Sequence, residues 1–237
     1  MTEAILQSEN SNSPGQPALT EHLTQLSNHL THEMREVTKI WNLAGNTDVV
    51  GAYAEAVVRR FVRRTVAPLR VSTGAVFRFP KPETVNQEDL IIWAPNPATA
   101  ILDVDDFAIV PEGSVFGVIE VKKSDGTNKR GVTDFHARWK CPSYWKTFKG
   151  DFESGVIPAL SVICHAADLQ VKRSFDSDRA SGTTVVLLSP IDNDNLDSQA
   201  NAYDVAMFIN FLQVVLIRYY KLITTCPSLL HNIPAQQ

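Results

Sequence analysis

Apolar and polar positions alternate along the chain in stretches of two kinds, helical and extended. Over residues 19–43 the apolar positions Leu23, Leu26, Leu30, Met34, Val37, Ile40 and Trp41 fall largely on one stripe, the spacing of an amphipathic helix. Thr20 is the expected N-cap of this helix and Gly45 its expected stop. A second helix is predicted from residues 46–48 to about Val66, closed by Pro68. Residues 71–79 read as a strand containing Gly74 and closed by Pro80 and Pro82. Residues 89–93 read as the next strand, with Asp89 at its entrance. Between Trp93 and Pro111 the pattern is irregular, with Pro95, Pro97 and the acids Asp103, Asp105 and Asp106. Residues 115–123, Val-Phe-Gly-Val-Ile-Glu-Val-Lys-Lys, begin apolar on both faces, as a strand inside a sheet does.

Beyond a loop at 124–128, residues 133–149 have a helical pattern interrupted at Pro142. Two apolar strands, 157–165 and 183–188, follow. A last helix, capped by Asp197 or Ser198, runs to about Thr225 before Pro227. From Val205 to Ile217 it is apolar on nearly every side. That stretch is shorter than the roughly 20 residues a bilayer crossing needs. It is therefore expected in the core or at a subunit interface. The order is two helices, three strands, a helix, two strands and a long helix, an α/β fold with helices flanking a small mixed central sheet. Residues 1–18, rich in Ser, Asn, Gln, Pro and Gly, are expected to be a flexible leader, 19–226 a single domain and 227–237 a tail.

Composition, the N-terminus and charge add three points. Cys141, Cys164 and Cys226 are odd in number and lack C-x-x-C spacing, which argues against a disulfide framework or a zinc ribbon. The N-terminus lacks the pattern of a signal peptide, so a cytoplasmic protein without a membrane is expected. The net charge of −4 is unevenly spread. Residues 56–82 carry +7 and residues 122–149 carry +6, leaving −17 for the rest. Such asymmetry suits one face turned to a polyanion, unless the acidic remainder lies beside the basic residues in space.

The candidate chemistry sits at the end of the 115–123 strand. Glu120 and Lys122 are two apart and project from the same face. Charges at the end of a buried strand call for pairing or a bound metal. A same-face ion pair is the simpler account. Upstream lie Gln87-Glu88-Asp89 at the entrance of one strand and Glu55 in the first half of the second helix. Glu55 also has Arg59 at i+4, so an ion pair on an exposed helix face accounts for it equally well.

The order Glu55…Asp89…Glu120-x-Lys122 resembles the PD-(D/E)XK nuclease superfamily. More narrowly, residues 107–122 resemble an uncharacterised bacterial and phage family within it, in which an apolar segment leads into V-x-x-V-I-E-V-K. The resemblance covers residues 51–124, about a third of the chain. It implies a restriction-endonuclease-like αβββαβ core, here with extra N- and C-terminal helices. It implies metal-dependent phosphodiester hydrolysis of nucleic acid, with DNA the expected substrate. Asp89, Glu120 and the Val121 carbonyl would hold Mg²⁺ or Mn²⁺, Glu55 would hold a second ion or orient its water, and Lys122 would act at the phosphate. One of Asp103, Asp105 or Asp106 could replace Asp89, which is preferred because it abuts an apolar strand. Arg60, Arg63, Arg64, Lys123, Lys129 and Arg130 are the candidate phosphate contacts. Aromatics interleaved with bases over 133–149 would either stack on bases or fill the core. The 198–225 helix is a candidate homodimer surface. The alternative function is a non-catalytic module of the same fold that binds nucleic acid or a protein.

Overall fold

The computed structural model describes residues 47–78, 86–96, 98–122, 129–140, 156–164, 184–188 and 197–225, with positions 21, 22, 24–26, 28–30, 32, 33 and 36. Among these the side chains of 47, 129, 130 and 197–202 are not described. The expectations for the 1–18 leader, Gly45, Lys123, the 124–128 loop, residues 141–155, His165, Cys141, Cys226 and the 227–237 tail lie outside the described residues.

The first helix described in full, α1, spans Thr47–Thr65. Its apolar positions Val50, Ala54, Val57, Val58 and Val62 recur at helical spacing and are buried. They pack on a seven-stranded mixed sheet. The strands are β1 (Arg70–Phe77), β2 (Gln87–Trp93), β3 (Leu102–Val104), β4 (Phe107–Pro111), β5 (Val115–Lys122), β6 (Ala159–Ile163) and β7 (Val185–Leu187). Their spatial order is β3-β4-β1-β2-β5-β6-β7. β1, β2 and β5 form an antiparallel run, and β5, β6 and β7 are parallel. Helix α2 (Lys129–Arg138) supplies part of the β5-to-β6 crossover, and α3 (Asp197–Thr225) follows β7.

β5 is central, and the alternation of its side chains explains why it is apolar on both faces. Ile119 and Val121 enter the larger cluster with α1 and with Val205, Phe208, Phe211, Leu212 and Val215 of α3. Val118 faces the other way, with Ile91, Trp93, Phe135 and Trp139. Each such aliphatic or aromatic side chain contributes roughly 1.5–3 kcal/mol on full burial. Gly117 lets α3 lie close, because a Cβ there would stand 2.9 Å from Val215 Cγ2.

Two expectations require correction. The irregular stretch before Pro111 contains a hairpin, β3–β4, closed by Asp105 and Asp106, with Asp105 at φ 52. β4 pairs in parallel with β1, so five strands rather than three precede α2. β3 is only three residues long and wholly exposed, so it has no buried face to imprint an alternating pattern. The second correction concerns α3. Its apolar length is not limited to 205–217: an 18-residue window within Tyr203–Thr225 reaches a mean hydropathy of 1.4, enough by length and composition alone to cross a bilayer, a test that core helices also pass. Nor is it buried all round. One face packs in the core, while Tyr203, Ile217 and Tyr220 are exposed.

Gly74 is the backbone position the sheet depends on most sharply. It sits at φ +141, where β1 is paired on both sides, and a Cβ there would stand 1.9 Å from the Ala108 carbonyl oxygen. Gly74→Ala is expected to lower the unfolding free energy by about 2–4 kcal/mol. Gly51→Ala, in α1 with nothing within 4 Å of its Cβ, is expected to be neutral or slightly stabilising. Urea denaturation of the two variants measures the contrast; equal stabilities would contradict it.

Candidate active site

The site grows from the end of β5. Glu120 and Lys122 do project together, and the Lys122 ammonium pairs with Glu120 Oε1. Both are mostly buried, with side chains 11% and 21% exposed, so this is not a pair in open solvent. In register with Glu120 on β6 is Ser161, whose hydroxyl meets His136 Nε2 of α2 at 3.1 Å. Burial pushes the His136 pKa down to about 4, against a backbone hydrogen bond at Thr184, so the ring is neutral at physiological pH.

β2 delivers Asp89 through an irregularity. Between Ser72 and Gly74 of β1 the paired position on β2 moves from Ile91 to Glu88, so β2 carries one extra residue here. Strict alternation would put Glu88 on the side of Leu90 and Ile92, which belong to the α1 cluster. Instead Glu88 accepts a 3.0 Å hydrogen bond from Arg138 of α2, on the opposite side. Asp89 turns to the neighbouring strand, where its Oδ2 accepts the Val121 N–H at 2.8 Å. The bulge thus sends two adjacent carboxylates to different partners.

Charge crowding follows. The Asp89 carboxyl is raised to about 7, first by burial and then by Glu120, against the Val121 N–H and Lys122. Glu55, on α1, is also raised by burial, with Arg59 and Lys122 opposing and Glu120 adding to it. Cys164, wholly buried at the end of β6, is pushed up to about 12 by burial and by Glu55 and Asp89, so it is an inert thiol beside the acids. Glu55, Asp89, Glu120 and Lys122 are therefore within electrostatic reach of one another. Among the described residues, however, no three His, Cys, Asp or Glu side chains converge closely enough to form a ready metal cage. Val121 was expected to contribute its carbonyl; its N–H is what Asp89 engages.

The rival acids have other partners. Asp103 pairs with Arg70, and Asp106 with Arg59 at 3.0 Å and with Arg63. Asp105 is exposed at the hairpin turn. The basic residues of 56–82 are largely neutralised nearby: besides those pairs, Arg60 meets Glu33 and Arg78 meets Glu112. For this window the acidic remainder does lie beside it in space. Arg64 is exposed on α1, and Lys129 and Arg130 open α2. Phe135, His136 and Trp139 are buried in place of stacking outward. His22, His29 and His32 are exposed, as surface histidines. Sequence reasoning missed the Glu88–Arg138 pair, since a carboxylate next to Asp89 at a strand entrance gives no sign of which way it turns.

A carboxylate raised in the folded state stabilises the fold at low pH, and the benefit is lost as pH rises from its unfolded value, 3.8, through about 7. Without divalent ions, wild type is therefore expected to lose stability between pH 5 and 8 relative to Asp89→Asn, by on the order of 1–3 kcal/mol. Parallel denaturation curves at the two pH values check this; an unchanged difference would contradict it.

No family model matches the chain, and no curated protein does. Solved structures do match. P. aeruginosa NucC in its cAAA-bound form aligns with a TM-score of 0.56 at 12% identity, over 86% of this chain and 98% of that one. The cAAA-bound form of E. coli NucC aligns with a TM-score of 0.54 at 12% identity, over 90% of this chain and all of that one (100%). The mixed sheet between helices thus shares the fold of these structures, a restriction-endonuclease-like core.

Proposed function

We propose that the protein hydrolyses phosphodiester bonds in nucleic acid, DNA foremost, at the cluster of Glu55, Asp89, Glu120 and Lys122. The observation that carries this reading is the gathering of three carboxylates and an ammonium where a central, otherwise apolar strand ends. So many charges near one core are costly unless they serve a ligand. The fold supports the same reading.

A divalent cation fits this donor set. Its candidate ligands are hard oxygens, and the Asp89 carboxyl, raised first by burial and then by Glu120, is a group whose ionised form a cation would stabilise. Asp89, Glu120 and the Val121 carbonyl would hold Mg²⁺ or Mn²⁺, with Glu55 holding a second ion or orienting a water. When bound, the ion supplies a water of lowered pKa and positive charge at the phosphate. Lys122, released from Glu120, presents its ammonium to the phosphate, where it stabilises the charge that develops and orients the attacking water. Arg63, Arg64, Lys123, Lys129 and Arg130 would bind phosphates without reading bases, whereas the expected contact Arg60 is paired with Glu33.

The rival reading is a non-catalytic module that binds nucleic acid or a protein. In its favour, Glu120 is closed on Lys122, and among the described residues the gathered acids do not stand close enough to form a ready metal cage. Cleavage of duplex DNA with Mg²⁺ or Mn²⁺ separates the two. Glu120→Gln and Lys122→Ala are each expected to lower the rate at least about 100-fold, with melting still cooperative. Full activity in both variants would refute the site. A wild type that binds DNA but never cleaves it would favour the rival.

A further inference from the structure

A second cluster of charge lies on α1, one turn beyond Glu55. Arg59, Arg60, Arg63 and Arg64 line a cleft of about 280 Å³ with Ala56 and Asp106. Its volume is several times the ~30 Å³ share of one water. Asp106 is held at the tip of the β3–β4 hairpin, where its backbone carbonyl accepts the Thr73 N–H at 2.7 Å. Its carboxylate joins two guanidiniums: Arg59 at 3.0 Å through one oxygen and Arg63 through the other. Arg63 is already oriented, because its Nε and NH2 donate to the Val71 carbonyl at 3.1 and 2.8 Å. Arg59 Nε is buried without a partner. A buried donor left unsatisfied beside a cleft of guanidiniums is the imprint of a missing acceptor.

We propose that this cleft is a phosphoryl-binding subsite, occupied in the free protein by the Asp106 carboxylate, which an incoming phosphate displaces. Carboxylate and phosphate offer guanidiniums the same geometry of paired oxygen acceptors. The occupant is within reach of an incoming ligand, for the Asp106 side chain is 54% exposed. An internal phosphodiester matches the two oxygens and single charge of the carboxylate it replaces, and a terminal phosphate brings a third acceptor oxygen and more negative charge. Glu33 neutralises Arg60, so the vacated cleft presents Arg59, Arg63 and Arg64.

The position gives the subsite a role, which rests on the nuclease reading. Arg59 lies four residues from Glu55, about 6 Å along the helix axis, and close enough to oppose the rise in the Glu55 pKa. A strand whose scissile phosphate meets Lys122 would thus lay a neighbouring phosphate in the cleft. Phosphoryl chemistry could also come from a small free ligand.

Binding without cleavage tests the proposal independently of catalysis. Fluorescence anisotropy with a labelled DNA duplex in chelator, and calorimetry with inorganic pyrophosphate, are the two arms. Asp103→Asn is the control, because it removes a carboxylate from the same hairpin but one paired with Arg70 outside the cleft. Asp106→Asn is expected to tighten duplex binding about fivefold or more, and Asp103→Asn less than twofold. Adding Arg59→Ala to Asp106→Asn should erase the gain. A gain for pyrophosphate alone would assign the cleft to a small phosphoryl ligand and remove its role in strand binding. Equal effects of the two Asn variants on both probes, or a gain that survives Arg59→Ala, would overturn the proposal. Loss of cleavage activity in wild type would sink the nuclease reading while leaving this test intact.

Discussion

Ending a fully buried strand in two charges, as β5 does at Glu120 and Lys122, is costly in a core. β5 is covered by α1 and α3 on one side and by α2 on the other, so Glu120 and Lys122 emerge where water is scarce. A carboxylate or ammonium there needs a partner at hand. The pair they form answers that need in the free protein. The Asp89 bond to the Val121 N–H fixes β2 against β5 at the same level. Packing and electrostatics are thus solved together: the apolar length of β5 holds the sheet, and its polar end holds the acids in one place.

The bulge in β2 has a matching role. By breaking the alternation at Glu88, it commits that carboxylate to Arg138 and α2 and leaves Asp89 facing β5. Were the strand regular, Glu88 would fall on the side of Leu90, toward α1. The acids near Lys122 would then differ in number and place. Bulges that re-aim a side chain beside a functional site are a recurrent device of sheets.

Much of the fold was legible in the pattern of residues, and for a reason. α1 has a clean helical stripe and Pro68 beyond its end, so its limits, Thr47–Thr65, match expectation closely. β5 is apolar on both faces because both faces are covered. The β3–β4 hairpin was not legible, since an exposed three-residue strand leaves no alternation to read. The same holds at the site. Glu120 and Lys122 declare themselves by their spacing on a strand. The partners of the arginines do not, because Asp106 lies 47 residues from Arg59 in the chain and meets it only through the fold. That distance is why a window of seven basic residues without an acid looked like a bare polyanion face, while in space it is largely paired.

We propose that the crowded acids at the end of β5 form a cation site. Calorimetric titration of the protein with Mg²⁺ and Mn²⁺ in the absence of nucleic acid, wild type against Glu120→Ala, tests it most directly. Wild type is expected to bind the ions and the variant to lose that binding. Binding of equal strength in both, or none in wild type even with a DNA duplex present to complete the site, would contradict it.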